Sequence, residues 1–451
     1  MADKRLNATM TEGNLPKQIL LFSLPLMLSN VLQVLFNMSD VAVVGRFAGS
    51  HALGAVGSTS ILVSLLTTVL IGVGTGVNIM VARFLGAKND REVVDAVHSS
   101  FIICAVAGLL LMLASLLASR PILELLGTKE ELVDGAETYL RIYSLGLPAA
   151  AMYNYGNAVL SAAGDTKRPL YILSAAGVLN VVLNLFFVIV CGMAEAGVAL
   201  ASTLSQWLSA CLVLVVLIRS TAVYALHPKQ IRVHPDMIKR ILPLSLSAAA
   251  QNAIFAVANL FIQSGVNSFD TVIVEGTAAA TNADSLCYDV MAALYTACAS
   301  FMSQNYGAGK KKRVIHSYLI ALAYSFGIGL IIGLTLELFG KSFLALFTTD
   351  EAVMDAGMVR LRVMGFSYAF SAFMDCTIAG SRGLGKSVVP TIIVILGSCV
   401  FRVIWVYTVF AYFHTILSLY LLYIFSWTIT AVAEIIYFRH IYKQIEVRMA
   451  N

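Results

Sequence analysis

Charge is what this chain has least of. Of its 451 residues only 12% are Asp, Glu, Lys or Arg, against roughly 25% in a soluble globular domain. With 59% hydrophobic residues and a mean hydropathy of +0.83, a water-soluble globular protein is excluded. The 7 cysteines, all within or at the ends of apolar runs, include no C-x-x-C and meet no paired histidine spacing. Neither a zinc site nor a redox pair is therefore written in the sequence, and the cysteines read as small buried apolar residues. No D-D-x-x-D and no H-E-x-x-H string occurs, which removes magnesium-dependent prenyl transfer and zinc proteolysis as readings.

What the chain has in abundance is long apolar runs. Twelve are expected as membrane helices, at 17–45, 53–82, 93–118, 132–161, 169–191, 195–218, 238–266, 272–304, 314–339, 353–380, 387–411 and 415–438. Each is long enough to cross about 30 Å of hydrocarbon at about 1.5 Å per residue. Lipid cannot hydrogen-bond a backbone, and the pattern is continuous rather than alternating, so these are helices and not barrel strands. The polar start MADKRLNATMTEGNLPKQ leads straight into a full-length span and has no cleavable secretory pattern.

Lys and Arg gather in alternate loops, with KKKR at 310–313 the densest run, while the intervening loops hold only Arg46, Arg120, Lys129 and Lys341. This bias places both termini in the cytoplasm. It also explains KKKR by topology, so no nucleic-acid partner is expected.

The chain repeats itself. LPLMLSNVLQ at 24–33 matches LPLSLSAAAQ at 242–251, an offset of 218. FLGAKNDR at 84–91 answers to NYGAGKKK at 305–312, and AAGDTKRP at 162–169 to SRGLGKSV at 381–388. Six helices per half means that both halves enter from one face, as parallel repeats. The expected organisation is an N-terminus at 1–16, a first six-helix bundle at 17–218, a linker at 219–237, a second bundle at 238–440 and a tail at 441–451.

Within the first run, FNMSDVAVVGRF at 36–47 holds one carboxylate, Asp40. A charged group in a helix core costs about 3 kcal/mol on insertion scales, so such acids usually have work to do. Gln33, Asn37 and Asp40 fall on one helix face, and Asp40 lies about 9 Å below the outer end of its helix, counted at 1.5 Å per residue from Arg46. Asn180, Asn184 and Thr203 fall at the same depth in the fifth and sixth spans. Four oxygen-bearing side chains from three helices are thus expected to converge as a site for a proton or a sodium ion. In the second half Asn259 stands where Asp40 would be, so the coupling site is placed in the first.

FNMSDVAVVGRFAGSHALGAVG at 36–57, FLGAKND, AGDTKRP, LNVVLNLFFVI at 179–189, AGVALASTLSQ at 196–206 and GSRGLGKS at 380–387, in this order and spacing, resemble the multidrug and toxic compound extrusion (MATE) family. The resemblance implies two six-helix lobes and an efflux transporter that exports amphipathic, often cationic compounds in exchange for protons or sodium ions. It implies that Asp40 and its neighbours are the first-lobe cation site. Some members have a second Asp where this chain has Asn184, and another branch has a Glu where it has Gln251. The resemblance also implies a monomer in the cell membrane, with no resident cofactor.

Other polar groups are accessory candidates. Asp289 and Asp375 lie inside second-half helices and could neutralise a cationic substrate, serve as a second proton site or pair with Arg402. Gln33, Asn37, Gln251 and Asn259 are accessory cavity residues. Arg141 and Arg360 correspond under the repeat, which suggests a shared structural role. GSRGLGKS also fits the phosphate-loop pattern, but a loop between two membrane helices lacks the strand that such a loop needs, so no nucleotide is expected. A flippase for a lipid-linked or other amphipathic substrate is the alternative; it would favour more intramembrane Arg and Lys than Arg141, Arg360, Arg362 and Arg402 provide.

Overall fold

The structure, a computed structural model of the chain, describes residues 10–448. Lys4 and Arg5, part of the expected cytoplasmic N-terminus, and the last residues of the tail lie outside the described residues. Among the described residues there is no strand. In chain order the helices are α1 (Leu15–Val43), α2 (Gly49–Gly86), α3 (Asp90–Leu125), α4 (Glu130–Ser144), α5 (Leu147–Ala162), α6 (Lys167–Leu185), α7 (Ala194–Ile218), α8 (Pro235–Val266), α9 (Thr271–Gly307), α10 (Lys311–Leu344), α11 (Glu351–Gly383), α12 (Val388–Val394), α13 (Phe401–Trp405), α14 (Ala411–Phe413) and α15 (Ile416–Arg448). Wide π turns extend α1 and α6 and join α12 to α14 into one rod.

Ten of these rods are long and apolar enough to cross a membrane by length and composition. The other two of the twelve passes are less apolar or broken. One is α4 with α5, interrupted just before Pro148, in which α4 bears Glu130, Glu131, Asp134, Glu137 and Arg141. The other is α11, with Arg360, Arg362 and Asp375. Large apolar side chains such as Leu110, Leu117, Val190 and Leu338 are exposed, an arrangement that suits hydrocarbon rather than water.

The chain forms two compact units by contact. The first comprises Leu28–Asn252, and the second Met10–Met27 together with the chain from Ala253 onward. In the first, α2 is central. A Cβ at Gly72 would stand 2.6 Å from Ala249 Cα, and one at Gly76 would stand 2.2 Å from Ser245 Oγ, so the GVGTG run at 72–76 serves close helix packing. The linker is held in the same unit, where the His227 backbone N–H donates to His98 Nε2 at 3.1 Å and His234 Nε2 lies 3.5 Å from Asp95 Oδ1. In the second unit, α9, α10, α11 and α15 pack together, and Leu15, Ile19, Phe22 and Leu26 lie against Leu294 and Phe301.

The duplication is visible in backbone conformation as well as in letters. Positive φ occurs at Lys88 (52°) and at its counterpart Gly309 (70°), and again at Gly164 (89°) and Gly385 (81°), each two residues beyond the end of its helix. In the GLGK turn the amides that a phosphate would need are already used: Gly385 N–H donates to Arg382 O at 2.7 Å and Lys386 N–H to Ser381 O at 3.0 Å.

Candidate functional site

Asp40 lies near the end of α1, just before the π turn at Val44–Ala48. Its carboxylate is held by two helices of the same unit. Asn184 Nδ2 of α6 donates to Oδ1 at 2.5 Å, and Ser202 Oγ of α7 donates to Oδ2 at 3.1 Å. A second tier closes the ring: Asn184 Nδ2 also reaches Asn180 Oδ1 at 3.2 Å, and Asn180 Nδ2 donates to Ser202 Oγ at 3.2 Å. Asn180, Asn184 and Ser202 are buried, whereas Asp40 is half-buried.

Local sequence explains the convergence. Asn180 and Asn184 are one turn apart and share a face of α6. Gly177, one turn earlier, has no Cβ, so the Phe36 ring of α1 lies where that Cβ would be, 1.9 Å away. This close approach brings α1 and α6 near enough for a side chain as short as Asp40 to reach Asn184. Tyr139 and Tyr143 of α4, stacked at 6.0 Å, lie within electrostatic range of Asp40.

Asp40, Asn180 and Asn184 are therefore brought together, and Thr203 is not. Thr203 Oγ1 donates to the Ile142 carbonyl at 2.9 Å, and the adjacent Ser202 takes the place expected of it. The reason is helical phase: one residue along α7 turns the side chain by about 100°. Gln33 and Asn37 share the Asp40 stripe but are exposed and make no hydrogen bond among the described residues.

The remaining candidates belong to the second unit, apart from Gln251, which is buried in the first. Asn259 accepts from Arg402 Nη1 at 3.3 Å. Asp375 feels Arg382 and Arg402 through space, but no ion pair joins it to Arg402. Asp289, on α9, is partly buried.

The acid that is fully engaged there is Asp284. Arg360 donates to its Oδ2 from Nε at 2.8 Å and Nη2 at 2.6 Å, and Tyr368 donates to Oδ1. Tyr420 and Tyr423 flank the guanidinium at 5.1 Å and 5.3 Å. Asp284 was legible as a second acid in TNADSLCYD at 281–289, five residues before Asp289. Arg141, by contrast, is exposed and pairs with Glu137 at 2.7 Å, so the repeat-related arginines do not share surroundings.

The donor set of the Asp40 cluster suits a hard cation or a proton. It offers carboxylate, amide and hydroxyl oxygens and one net negative charge, and no thiolate or imidazole. Asn184 Oδ1 is buried and has no hydrogen-bond partner among the described residues, so turning that amide would present an oxygen instead of an N–H to an incoming cation. The MatE family model matches residues 25–186 and again 243–408, one match in each repeat. The chain belongs to the MATE family. MATE proteins are membrane transporters rather than enzymes, and a crystal structure of MATE in the bent conformation superposes with a TM-score of 0.89 at 22% identity over 99% of both chains. The chain is 30% identical over 360 residues, 80% of each sequence, to the probable multidrug resistance protein YpnP of Bacillus subtilis. It is 25% identical over 345 residues, 75% of each, to an FAD transporter of Shewanella oneidensis. This MATE protein is thus an all-α, twelve-helix, multi-pass membrane protein built from two repeated six-helix bundles.

Proposed function

We propose that this MATE protein is a cation-coupled antiporter that exports amphipathic or cationic compounds by alternating access, exchanging them for protons or sodium ions. The observation that carries the reading is the Asp40 cluster: a single carboxylate in a membrane helix, satisfied by neutral donors from two other helices. Because those partners carry no charge, the site's net charge changes by one when Asp40 takes up a cation. That change alters how firmly α1 is tied to α6 and α7, since an ionised carboxylate accepts stronger hydrogen bonds than a neutral acid. Asp40 is the coupling residue in this reading, Asn184 and Ser202 are its direct ligands, and Asn180 positions both. The names of relatives such as YpnP support small-molecule export. The protein sits in the cell membrane with both termini cytoplasmic and acts as a monomer.

The test is efflux of a fluorescent cationic dye from vesicles holding the purified protein, under a proton gradient alone and a sodium gradient alone. Gradient-driven efflux that disappears in Asp40→Asn supports the reading, and the effective gradient names the ion. Dye movement that survives the substitution refutes the role of Asp40, and no dye movement under either gradient favours a lipid-linked substrate.

A further inference from the structure

The two halves of this chain carry opposite charge in corresponding contact pairs. NVVLNLFF at 180–187 aligns with SCVFRVIW at 398–405, so Arg402 is the repeat counterpart of Asn184, just as Asn259 is that of Asp40. The contact is duplicated too: Asn184 donates to Asp40 in the first unit, and Arg402 Nη1 donates to Asn259 Oδ1 in the second. A site centred on a carboxylate has become a site centred on a guanidinium.

Arg402 has no counter-ion in contact. It is 2% exposed, yet its hydrogen bonds go only to neutral oxygens, Asn259 Oδ1 and Ser426 Oγ, both at 3.3 Å. Nη2 makes none among the described residues, and no carboxylate oxygen there lies within 4.0 Å. Asp375 acts on it only through space, and Arg360 is already neutralised by Asp284. Around the guanidinium stand Tyr423 at 4.7 Å, Phe255 at 5.3 Å and Trp427 at 5.8 Å. A buried cation with neutral partners lacks the anion that would compensate its desolvation. Asn259, the polar residue beside it, is exposed and marks the side from which such an anion would arrive.

We infer that Arg402 is the anchor of an anion-binding site in the second unit, which takes the carboxylate or phosphate of a planar aromatic compound. Arginine supplies a planar fork for the acidic group, and the neighbouring rings supply faces for the aromatic part. A substrate carrying an acidic group is then held in the second unit, while coupling to the driving ion is the business of the Asp40 cluster in the first.

The experiment is a binding titration without any gradient, so its outcome is independent of the coupling role proposed for Asp40. Flavin mononucleotide and riboflavin share one ring system and differ by a phosphate. Each is titrated into the full-length protein in nanodiscs, and binding is read from quenching of intrinsic tryptophan fluorescence. The nucleotide should bind about tenfold or more tightly than riboflavin, the worth of a charge-assisted hydrogen bond. Arg402→Gln should bring the two ligands to parity. Asn259→Asp, which places a carboxylate beside Arg402 as its own counter-ion, should do the same with the arginine still present, and it answers the question if Arg402→Gln fails to fold. Equal affinities in the unmodified protein, or a phosphate preference undiminished in either variant, would overturn the inference.

Discussion

Asn184 Nδ2 donates to Asp40 Oδ1 at 2.5 Å, a bond between residues 144 positions apart. It is the shortest link in a ring that also includes Asn180 and Ser202. Asn184 is in direct contact with the carboxylate, whereas Asn180 reaches it only through Asn184 and Ser202.

A graded series of substitutions follows from that order of contact. Asn184→Ala should reduce gradient-driven efflux by about tenfold, the worth of a hydrogen bond to a charged group. Asn180→Ala should cost clearly less. Initial efflux rates from vesicles at matched protein content rank the two, and the reverse ranking would count against the ring.

Ser202 and Thr203 are adjacent but differ in what they touch. Ser202→Ala removes a donor from Asp40 and should slow coupled efflux several-fold. Thr203→Val removes only the bond to the Ile142 carbonyl and should cost about 1 kcal/mol of stability with coupling retained. A rate loss in Thr203→Val as large as that in Ser202→Ala would mean that the hydroxyl of Thr203 enters the site during the cycle.

The Asp284–Arg360 pair makes a stability prediction. Asp284→Asn leaves Arg360 buried without its counter-ion and should destabilise the protein by about 3–5 kcal/mol. Combining Asp284→Leu with Arg360→Met removes both charges and should recover most of that loss. Thermal unfolding in detergent measures both; a double variant no better than the single one would show that Arg360 matters for more than its charge balance.

Two glycines of α10 provide a matched comparison. A Cβ at Gly333 would stand 2.0 Å from the Gly365 carbonyl oxygen of α11, whereas one at Gly327 meets nothing within 4 Å. Gly333→Ala should therefore cost about 1–3 kcal/mol through overpacking against backbone, and Gly327→Ala should be neutral or slightly stabilising. Melting temperatures of the two variants decide it.

Much of this protein was legible from its letters because the membrane leaves so few options. A chain with 12% charged residues and repeated runs of about twenty apolar ones can only be a bundle of helices in lipid. The repeated motifs then divide it into two halves, and the lone carboxylate of α1 marks itself out against its surroundings. Asn184 was predictable because α6 has the helical period and the right depth.

What the sequence could not decide is rotational phase and partner choice. Depth along a helix is counted to within a residue or two, but one residue on α7 separates Ser202, which holds Asp40, from Thr203, which holds a backbone carbonyl. Which acid pairs with Arg360 is likewise not written in the letters: Asp284 and Asp289 lie on α9 and Asp375 on Arg360's own helix, and only packing puts Asp284 against it. Periodicity and hydropathy are properties of a single helix and survive in the sequence. Pairing between helices depends on close approach, such as that of Phe36 over Gly177, and only the tertiary structure sets it.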